Sequence, residues 1–367
     1  MGLFIKKPLA DLMTEANDSG SKSLKRILGP WSLIALGVGV IIGAGLFSIT
    51  GAVAAGYTGP AITLSFAIAA LGCCFAGLCY AEFASMIPVA GSAYTYSYAT
   101  MGELVAWIIG WDLVLEYCVA ATTVSISWSR YLVVFLEGFG VHLPQALTAC
   151  PWDGGIVNIP AFVIVVLMSI LLIRGTEGSS IFNGIIVFLK VSVVLVFVVL
   201  GWKYIRMENY TPYIPANTGT LGEFGFSGIL RGAAIVFFAF LGFDAVSTAA
   251  QETKNPKRNM PIGILMSLVV CTILYMLFAH VMTGVVHYSA FAGQNGIAPV
   301  AIAIDHMGQM DASGVIRPDY PWMNRAIVIA ILLGYCSVIM VTLLGQSRVF
   351  LSMSRDGLLP PLFLSLI

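Results

Sequence analysis

The chain has 367 residues, of which 59% are hydrophobic and only 10% carry a charged side chain. A soluble domain of this size carries about 25% charged residues, so the composition excludes an ordinary soluble protein and predicts an all-α polytopic membrane protein. Eighteen basic and 18 acidic side chains balance to zero, which leaves no excess charge for nucleic acid. The seven cysteines show no disulfide or metal-ligand spacing, and no catalytic triad or P-loop is present, so an enzyme is not expected.

Apolar segments of roughly 20 residues or more predict transmembrane helices. Eight such spans are predicted, at about 30–56, 60–85, 102–136, 156–174, 181–202, 226–250, 260–286 and 324–350. Lysine and arginine are more frequent on the side of the membrane that carries the first residues of the chain, which predicts a cytoplasmic N-terminus. The expected location is the cell (plasma) membrane. A short surface helix is expected around Ala298–Ile304, in the loop before the last span.

The first predicted span contains four glycines in nine residues: Gly37, Gly39, Gly43 and Gly45. Each glycine weakens a helix by up to about 1 kcal/mol. Because unpaired peptide groups in a membrane are tolerated only where they line a protein cavity, an opened helix here indicates a binding site. The amides of Gly43, Ala44 and Gly45 then suit a carboxylate, and the carbonyls of Val40 and Ile41 suit an ammonium group.

The same glycines also permit close helix packing, because Gly39 and Gly43 form a GxxxG pair. The sixth span, however, contains a second interruption in which Gly242 precedes Asp244, and an aspartate there is expected to cap a new half-helix. Interrupted segments in both halves of a chain are typical of transporter binding sites, so the pair favours a site. The residues expected to line it from this helix are Phe238, which we interpret as a gate, with Ala239, Leu241 and Gly242.

Lys190 lies near the middle of the fifth span, where a lysine costs about 2.5–3.5 kcal/mol unless it faces a cavity or a partner. Glu116 lies at a comparable depth in the third span. Two interpretations are open. The two side chains form a buried ion pair that joins two helices, or Lys190 carries a coupling proton, together with Glu116. In the second case the proton is the coupling ion and no other cofactor is needed. The Lys190 ammonium then takes the position that a sodium ion holds in a sodium-coupled transporter.

Three motifs stand out in the sequence: the glycine-rich segment 36–47, the loop 88–96 and the stretch 242–256. Together they resemble the amino acid–polyamine–organocation (APC) superfamily of amino acid permeases. Two further segments, 110–117 and 354–360, are similar to the cationic amino acid transporter branch and its bacterial homologues. The resemblance implies a leucine-transporter-like inverted-repeat fold, with the substrate at the breaks in helices 1 and 6. It also implies that Lys190 replaces the sodium ion of related transporters, and that Glu116 is the branch's acidic residue of helix 3.

This resemblance implies a domain organisation in five parts. These are a cytoplasmic N-terminal segment at 1–27, a first five-helix repeat at 28–202, an external loop at 203–225, a partial second repeat at 226–358 and a truncated C-terminus at 359–367. Because the family fold has ten core helices, a chain of eight spans is expected to be a fragment or a truncated product that transports poorly.

The predicted function is secondary active amino acid transport, by proton-coupled symport and alternating access. The expected partners are a small L-amino acid and the lipid bilayer, with no nucleic acid and no metal. Two alternatives remain: an exchanger driven by counter-substrate, and a non-transporting amino acid sensor or truncated pseudo-transporter. Neither the choice between cationic and neutral substrates nor the oligomeric state follows from the sequence, and Thr342 and Leu343 are only suggestions for the pocket wall.

Overall fold

The computed structural model describes residues 4–8, 10, 12, 26, 28–89, 91–174, 177–292, 298–310 and 316–360. Most of these residues are helical, and among them β1 (Gly308–Met310) pairs antiparallel with β2 (Ile316–Pro318). The helices are α1 (Pro30–Ile41), α2 (45–58), α3 (Ile62–Met86), α4 (Ser92–Thr100), α5 (Glu103–Glu137), α6 (Gln145–Thr148), α7 (Ile159–Ile173), α8 (Glu177–Gly201), α9 (Gly225–Val236), α10 (Pro256–Val285), α11 (Pro299–Asp305) and α12 (Pro321–Arg355). Short 3-10 segments lie at Gly59–Ala61, Pro151–Asp153, Trp202–Tyr204, Met207–Tyr210, Phe237–Phe240, Asp244–Glu252 and Tyr288–Phe291.

The predicted helical membrane protein is confirmed. In the described part of the chain, six helical stretches are long and apolar enough to cross a membrane: Gly45–Met86, Glu103–Glu137, Gly184–Tyr204, Gly225–Glu252, Pro256–Val285 and Trp322–Arg355. Two shorter apolar helices fall in the remaining predicted spans. Helix α1 occupies the beginning of the first span, and α7 occupies the fourth. A short helix is present at the expected place as α11, but five of its seven residues are buried, so the expected surface position is wrong.

The outer faces of the bundle are apolar. Large side chains such as Phe75 on α3, Phe162 on α7 and Phe188 on α8 are mostly exposed. Many exposed apolar side chains are unfavourable in water and mark a surface that contacts a membrane or a partner. Together with the lengths of the helices, it is the surface expected of a chain that lies in a bilayer.

The long helices pack in two groups. Helix α10 contacts α3 and α1, and α3 also contacts α9, which gives one four-helix bundle. Helix α5 contacts α12 and α7, and α7 contacts α12, which gives a second group. Helix α8 lies against α1, α10 and α12, so it joins the two groups. The functional side chains described below lie where these groups meet.

Both predicted helix breaks are present. Helix α1 ends at Ile41, and α2 begins at Gly45 with a turn of π-helix. Helix α9 continues as a 3-10 turn to Phe240, and a separate 3-10 helix begins at Asp244, the residue predicted to start the second half. Each membrane-spanning unit is therefore interrupted for about three residues near its middle, where backbone groups lack helical partners.

Candidate substrate site

The first break leaves a row of free amide groups. Ile42 adopts an extended backbone, with φ −73° and ψ 102°, so the hydrogen-bond ladder of α1 cannot continue into α2. Among the described residues, the N–H groups of Gly43, Ala44 and Gly45 donate no backbone hydrogen bond. These three amides lie at the N-terminal end of α2, where the helix dipole is positive. The arrangement can hold an anion.

Two glycines allow the two breaks to approach each other. A side-chain carbon on Gly45 would overlap the backbone of Ala239, in the 3-10 turn after α9. Gly242 has φ +101°, in the left-handed region that favours glycine, and packs against the side chain of Val40. A larger residue at either position would separate the two helices or strain the chain.

The carbonyls at the end of α1 have defined partners. Gly39 and Ile42 accept hydrogen bonds from the Lys190 ammonium, with Nζ–O distances of 2.7 and 3.1 Å. The Ile41 carbonyl accepts a hydrogen bond from the Tyr275 hydroxyl at 2.7 Å. Of the two carbonyls predicted to bind a substrate ammonium, only that of Val40 has no partner among the described residues. It is therefore the stronger candidate acceptor.

A cavity lies directly beside the first break. Its wall contains the predicted residues Val40, Ile41, Gly43, Ala44, Gly45, Glu116, Phe238, Leu241 and Gly242. Two predicted residues are not in the wall. Ala239 packs against Gly45, and Lys190 donates to carbonyls of the opened segment without lining the cavity. The structure thus brings the predicted residues together around one cavity, while their roles in binding stay predictions.

Sequence reasoning missed part of the wall. The cavity is also lined by Tyr117, Ala120, Val124, Ala245 and Val338, and by Thr342, which the sequence only suggested. Leu343, the other suggestion, does not line it. The signal that could have identified Tyr117 is its position directly after Glu116, because a tyrosine inside an apolar helix needs a hydrogen-bond partner.

The cavity wall is mostly apolar where it meets α5 and α12. Ala120, Val124 and Val338 contribute only hydrocarbon. The Thr342 hydroxyl lies 2.9 Å from two carbonyl oxygens of its own helix, those of residues 338 and 339, so its hydrogen bond is made within α12. The half-buried carboxylate of Glu116 has no hydrogen-bond partner among the described residues. It is the acidic side chain of the described cavity wall.

Lys190 is buried, with 1% of its surface exposed. Besides the two carbonyls of α1, its ammonium donates to the Ser337 hydroxyl of α12 at 3.4 Å. These three oxygens replace part of the hydration that the charge loses on burial. The alternative in which Lys190 and Glu116 form an ion pair is not observed in the described structure: Lys190 bonds to Gly39, Ile42 and Ser337, whereas Glu116 lines the cavity and Lys190 does not.

A second polar contact joins α5 to the second break. The Tyr117 hydroxyl donates to the buried Asp244 carboxylate at 2.8 Å. Further along, the Arg348 guanidinium pairs with Glu252 at 2.9 Å and donates to the Thr248 hydroxyl at 3.2 Å. These contacts connect the 3-10 helix Asp244–Glu252 to the group formed by α5, α7 and α12.

The start of α1 is also joined to the end of the 3-10 helix Asp244–Glu252. The Leu28 amide donates to the Glu252 carbonyl at 3.0 Å, and the Lys254 amide donates to the Leu28 carbonyl at 2.9 Å. Because backbone hydrogen bonds link the start of α1 to the end of the 3-10 helix, these two segments form one connected unit.

Comparison with known proteins identifies relatives over nearly the whole chain. The profile of the amino acid permease family matches residues 28–366. The branched-chain amino acid permease BcaP of Bacillus subtilis (strain 168) is 48% identical over 362 residues, which are 98% of this chain and 73% of that protein. The methylthioribose transporter of the same organism is 44% identical, with coverage of 98% and 73%. The vacuolar cationic amino acid transporter 4 of Arabidopsis thaliana is 34% identical, with coverage of 99% and 58%.

One solved structure has a similar fold. It is the substrate-bound, outward-open state of a Na⁺-coupled sialic acid symporter, with a TM-score of 0.57 over 98% of this chain and 75% of that chain. The two sequences are only 14% identical, so the likeness concerns the fold alone.

Proposed function

Since this chain belongs to the amino acid permease family, a family of transporters rather than enzymes, we propose that it is a secondary active amino acid transporter that works by proton-coupled symport. One observation carries the proposal. Four residues line the same cavity: Gly43, Ala44 and Gly45, whose amides are free, and Val40, whose carbonyl is free among the described residues. Donors for a carboxylate and an acceptor for an ammonium group, set side by side, suit the common part of every amino acid.

This arrangement favours an amino acid over a neutral sugar derivative. The methylthioribose transporter is a close relative, but methylthioribose has no carboxylate for the three amides. Leaving such donors unpaired when they are buried costs about 1–3 kcal/mol each. A substrate with a carboxylate removes that cost.

The coupling proton is assigned to Lys190, with Glu116 as a second group that can exchange it. The Lys190 ammonium holds the carbonyls of Gly39 and Ile42, the residues that precede the amide row. Loss of the proton would remove the charge from these contacts and loosen the turn that carries the binding amides. Proton and substrate occupancy are then linked, and each must strengthen the other. One proton that enters down 100 mV supplies about 2.3 kcal/mol.

The proposal includes a leucine-transporter-like inverted repeat, with residues 28–202 and 226–358 as its two parts. The two interrupted helices, the division into two packing groups and the similarity to the sialic acid symporter support it. In alternating access, the group of α1, α3, α9 and α10 rocks against the group of α5, α7 and α12. We place the chain in the plasma membrane with a cytoplasmic N-terminus.

For the substrate side chain we propose a neutral, apolar group such as that of leucine. The wall formed by Ala120, Val124 and Val338, with the Thr342 hydroxyl bonded to its own helix, supports this choice. The relative of 48% identity is named as a branched-chain amino acid permease. A cationic side chain is the second candidate, since the unpaired Glu116 carboxylate lines the cavity and could bind it.

Proteoliposomes test the proposal. Uptake of radiolabelled leucine is measured with and without an inward proton gradient at a clamped membrane potential, and with unlabelled leucine inside the vesicles. Symport predicts that the uptake, however small in a chain of eight predicted spans, requires the gradient and is abolished by a protonophore. Equal uptake into preloaded vesicles without a gradient would indicate an exchanger, and binding without flux would indicate a sensor. Competition by arginine rather than by leucine or valine would favour the cationic candidate.

A further inference from the structure

A cluster of positive charge lies where the second broken helix turns into α10. Lys254, Lys257 and Arg258 are exposed, and no acidic residue occurs in the first turn of α10. None of the three side chains has an ion pair among the residues that the structure describes. The neighbouring acid, Glu252, is already paired with Arg348. These three basic residues, the basic turn, therefore present uncompensated charge at the surface.

An apolar stripe runs along α10 below the basic turn. Met266, Val269 and Ile273 are exposed, and their i, i+3, i+7 spacing places them on one face of the helix. Arg258 precedes Val269 by about three helical turns, so it lies on the same face. The outer surface of α10 thus combines a guanidinium group at one end with exposed hydrocarbon farther along.

An exposed tryptophan lies at the same end of the bundle. The Lys254 amide donates to the Leu28 carbonyl at 2.9 Å, which places the start of α1 beside the basic turn. Trp31 follows in the first turn of α1, with 81% of its surface exposed. Farther along the two helices, Leu33 packs against Gly263. Because exposed tryptophan side chains are typical of the membrane–water interface, the basic turn is expected at the level of the lipid headgroups.

We propose that the basic turn and the apolar stripe bind an anionic phospholipid, of which phosphatidylglycerol is a simple example. The phosphate contacts the Arg258 guanidinium, which can donate two parallel hydrogen bonds, and the ammonium groups of Lys254 and Lys257. An acyl chain lies along the apolar stripe. Each basic side chain near an anionic membrane surface strengthens binding about fivefold. A zwitterionic lipid carries its own cation and gains less from the three charges.

The site goes beyond the transport function, because it joins the lipid to both broken helices. The 3-10 helix Asp244–Glu252 ends shortly before the basic turn, and the start of α1 is bonded to the turn through the Leu28 carbonyl. A bound headgroup therefore holds the unit formed by these two segments at one surface of the membrane.

Quenching of tryptophan fluorescence by brominated lipid tests the proposal. The full chain is reconstituted in phosphatidylcholine vesicles in which an equal, small fraction of either phosphatidylglycerol or phosphatidylcholine carries brominated acyl chains. The contribution of Trp31 is the difference between the unmodified chain and Trp31→Phe. We expect brominated phosphatidylglycerol to quench Trp31 roughly threefold more strongly than brominated phosphatidylcholine does. Because the three charges are exposed, high salt should remove most of this excess.

The combined variant Lys254→Gln, Lys257→Gln and Arg258→Gln should lose the excess quenching of Trp31. Lys203→Gln is the matched control and should retain it. Lys203 is also exposed, next to an exposed tryptophan at residue 202, but it has no basic cluster around it.

Three results would overturn the proposal: equal quenching of Trp31 by both lipids in the unmodified chain, an excess that persists in the combined variant, or an equal loss in the control. Removal of the excess by inorganic phosphate at constant ionic strength would assign the basic turn to a soluble anion, and would also overturn it. The salt series uses the unmodified chain, so an excess that salt does not change contradicts the proposal even if the combined variant fails to fold. The measurement needs no amino acid binding or uptake, so its outcome is independent of the proposed function.

Discussion

The Lys190 ammonium lies 2.7 Å from the carbonyl oxygen of Gly39, inside a helix that opens three residues later. A hydrogen bond from a charged donor contributes about 1.5–3 kcal/mol, roughly twice a neutral one. The same ammonium donates a second hydrogen bond to the carbonyl of Ile42, the residue that follows α1. One charge therefore contacts both the last turn of α1 and the first residue of the break. The fifth predicted span therefore contacts the backbone of the first at the point where that helix opens.

Replacement of Lys190 by methionine should abolish uptake driven by a proton gradient and leave detectable leucine binding. The long apolar side chain keeps the volume but removes the charge that holds the turn. Uptake into proteoliposomes at several external pH values measures the effect. Lys203→Met, at an exposed lysine beyond the same helix, is the control and should behave as the unmodified chain does. A Lys190→Met variant that kept its pH dependence would exclude the coupling role.

Gly45→Ala should eliminate leucine binding, because the added carbon would overlap the backbone of Ala239. Gly43→Ala should be milder, since its added carbon would lie 3.2 Å from a methyl group of Val338. Gly56→Ala, in the same helix with open space around it, is the control and should leave binding intact. Thermal-shift titration with leucine ranks the three variants. The opposite order would contradict the close approach of the two breaks.

The sequence predicted the features that depend on local chemistry. Four glycines in nine residues indicate the first break, and the aspartate after Gly242 indicates where the second half begins. Lys190 could be singled out because a charge in a long apolar segment is costly wherever the other helices lie. Each of these inferences needs only one helix and the bilayer.

Features that need two helices were not predictable. The bonds of Tyr275 reach residues 234 and 36 positions away, and no pattern within α10 indicates them. The similar depth of Lys190 and Glu116 in the sequence allows an ion pair, but depth does not specify the direction in which each side chain points from its helix. The rotation of a helix about its axis is set by packing against its neighbours.

Glu116→Gln should separate the two substrate candidates. The change keeps the shape of the side chain and removes its negative charge from the cavity wall. If the substrate is neutral, the affinity for leucine should change less than about threefold, while the pH dependence of uptake changes, since the variant has one group fewer that can accept a proton. Binding of leucine and arginine is measured by competition. A large and selective loss of arginine binding would favour the cationic candidate.

Thr342→Val should leave leucine uptake within about twofold of the unmodified chain. The Thr342 hydroxyl bonds to carbonyls of its own helix, so its loss exposes no donor or acceptor that the substrate uses. The KM for leucine and for threonine measures the effect. A selective loss of one substrate in this variant would show that the hydroxyl contacts the substrate.

The structure of the full chain with bound L-leucine tests the account most directly. We expect the leucine carboxylate within hydrogen-bonding distance, about 2.7–3.2 Å, of the amide nitrogens of Gly43, Ala44 and Gly45. Its ammonium group should lie on the Val40 carbonyl, and its side chain against Ala120 and Val338. Leucine bound elsewhere, or a continuous helix through residues 41–45 in the bound state, would contradict the account.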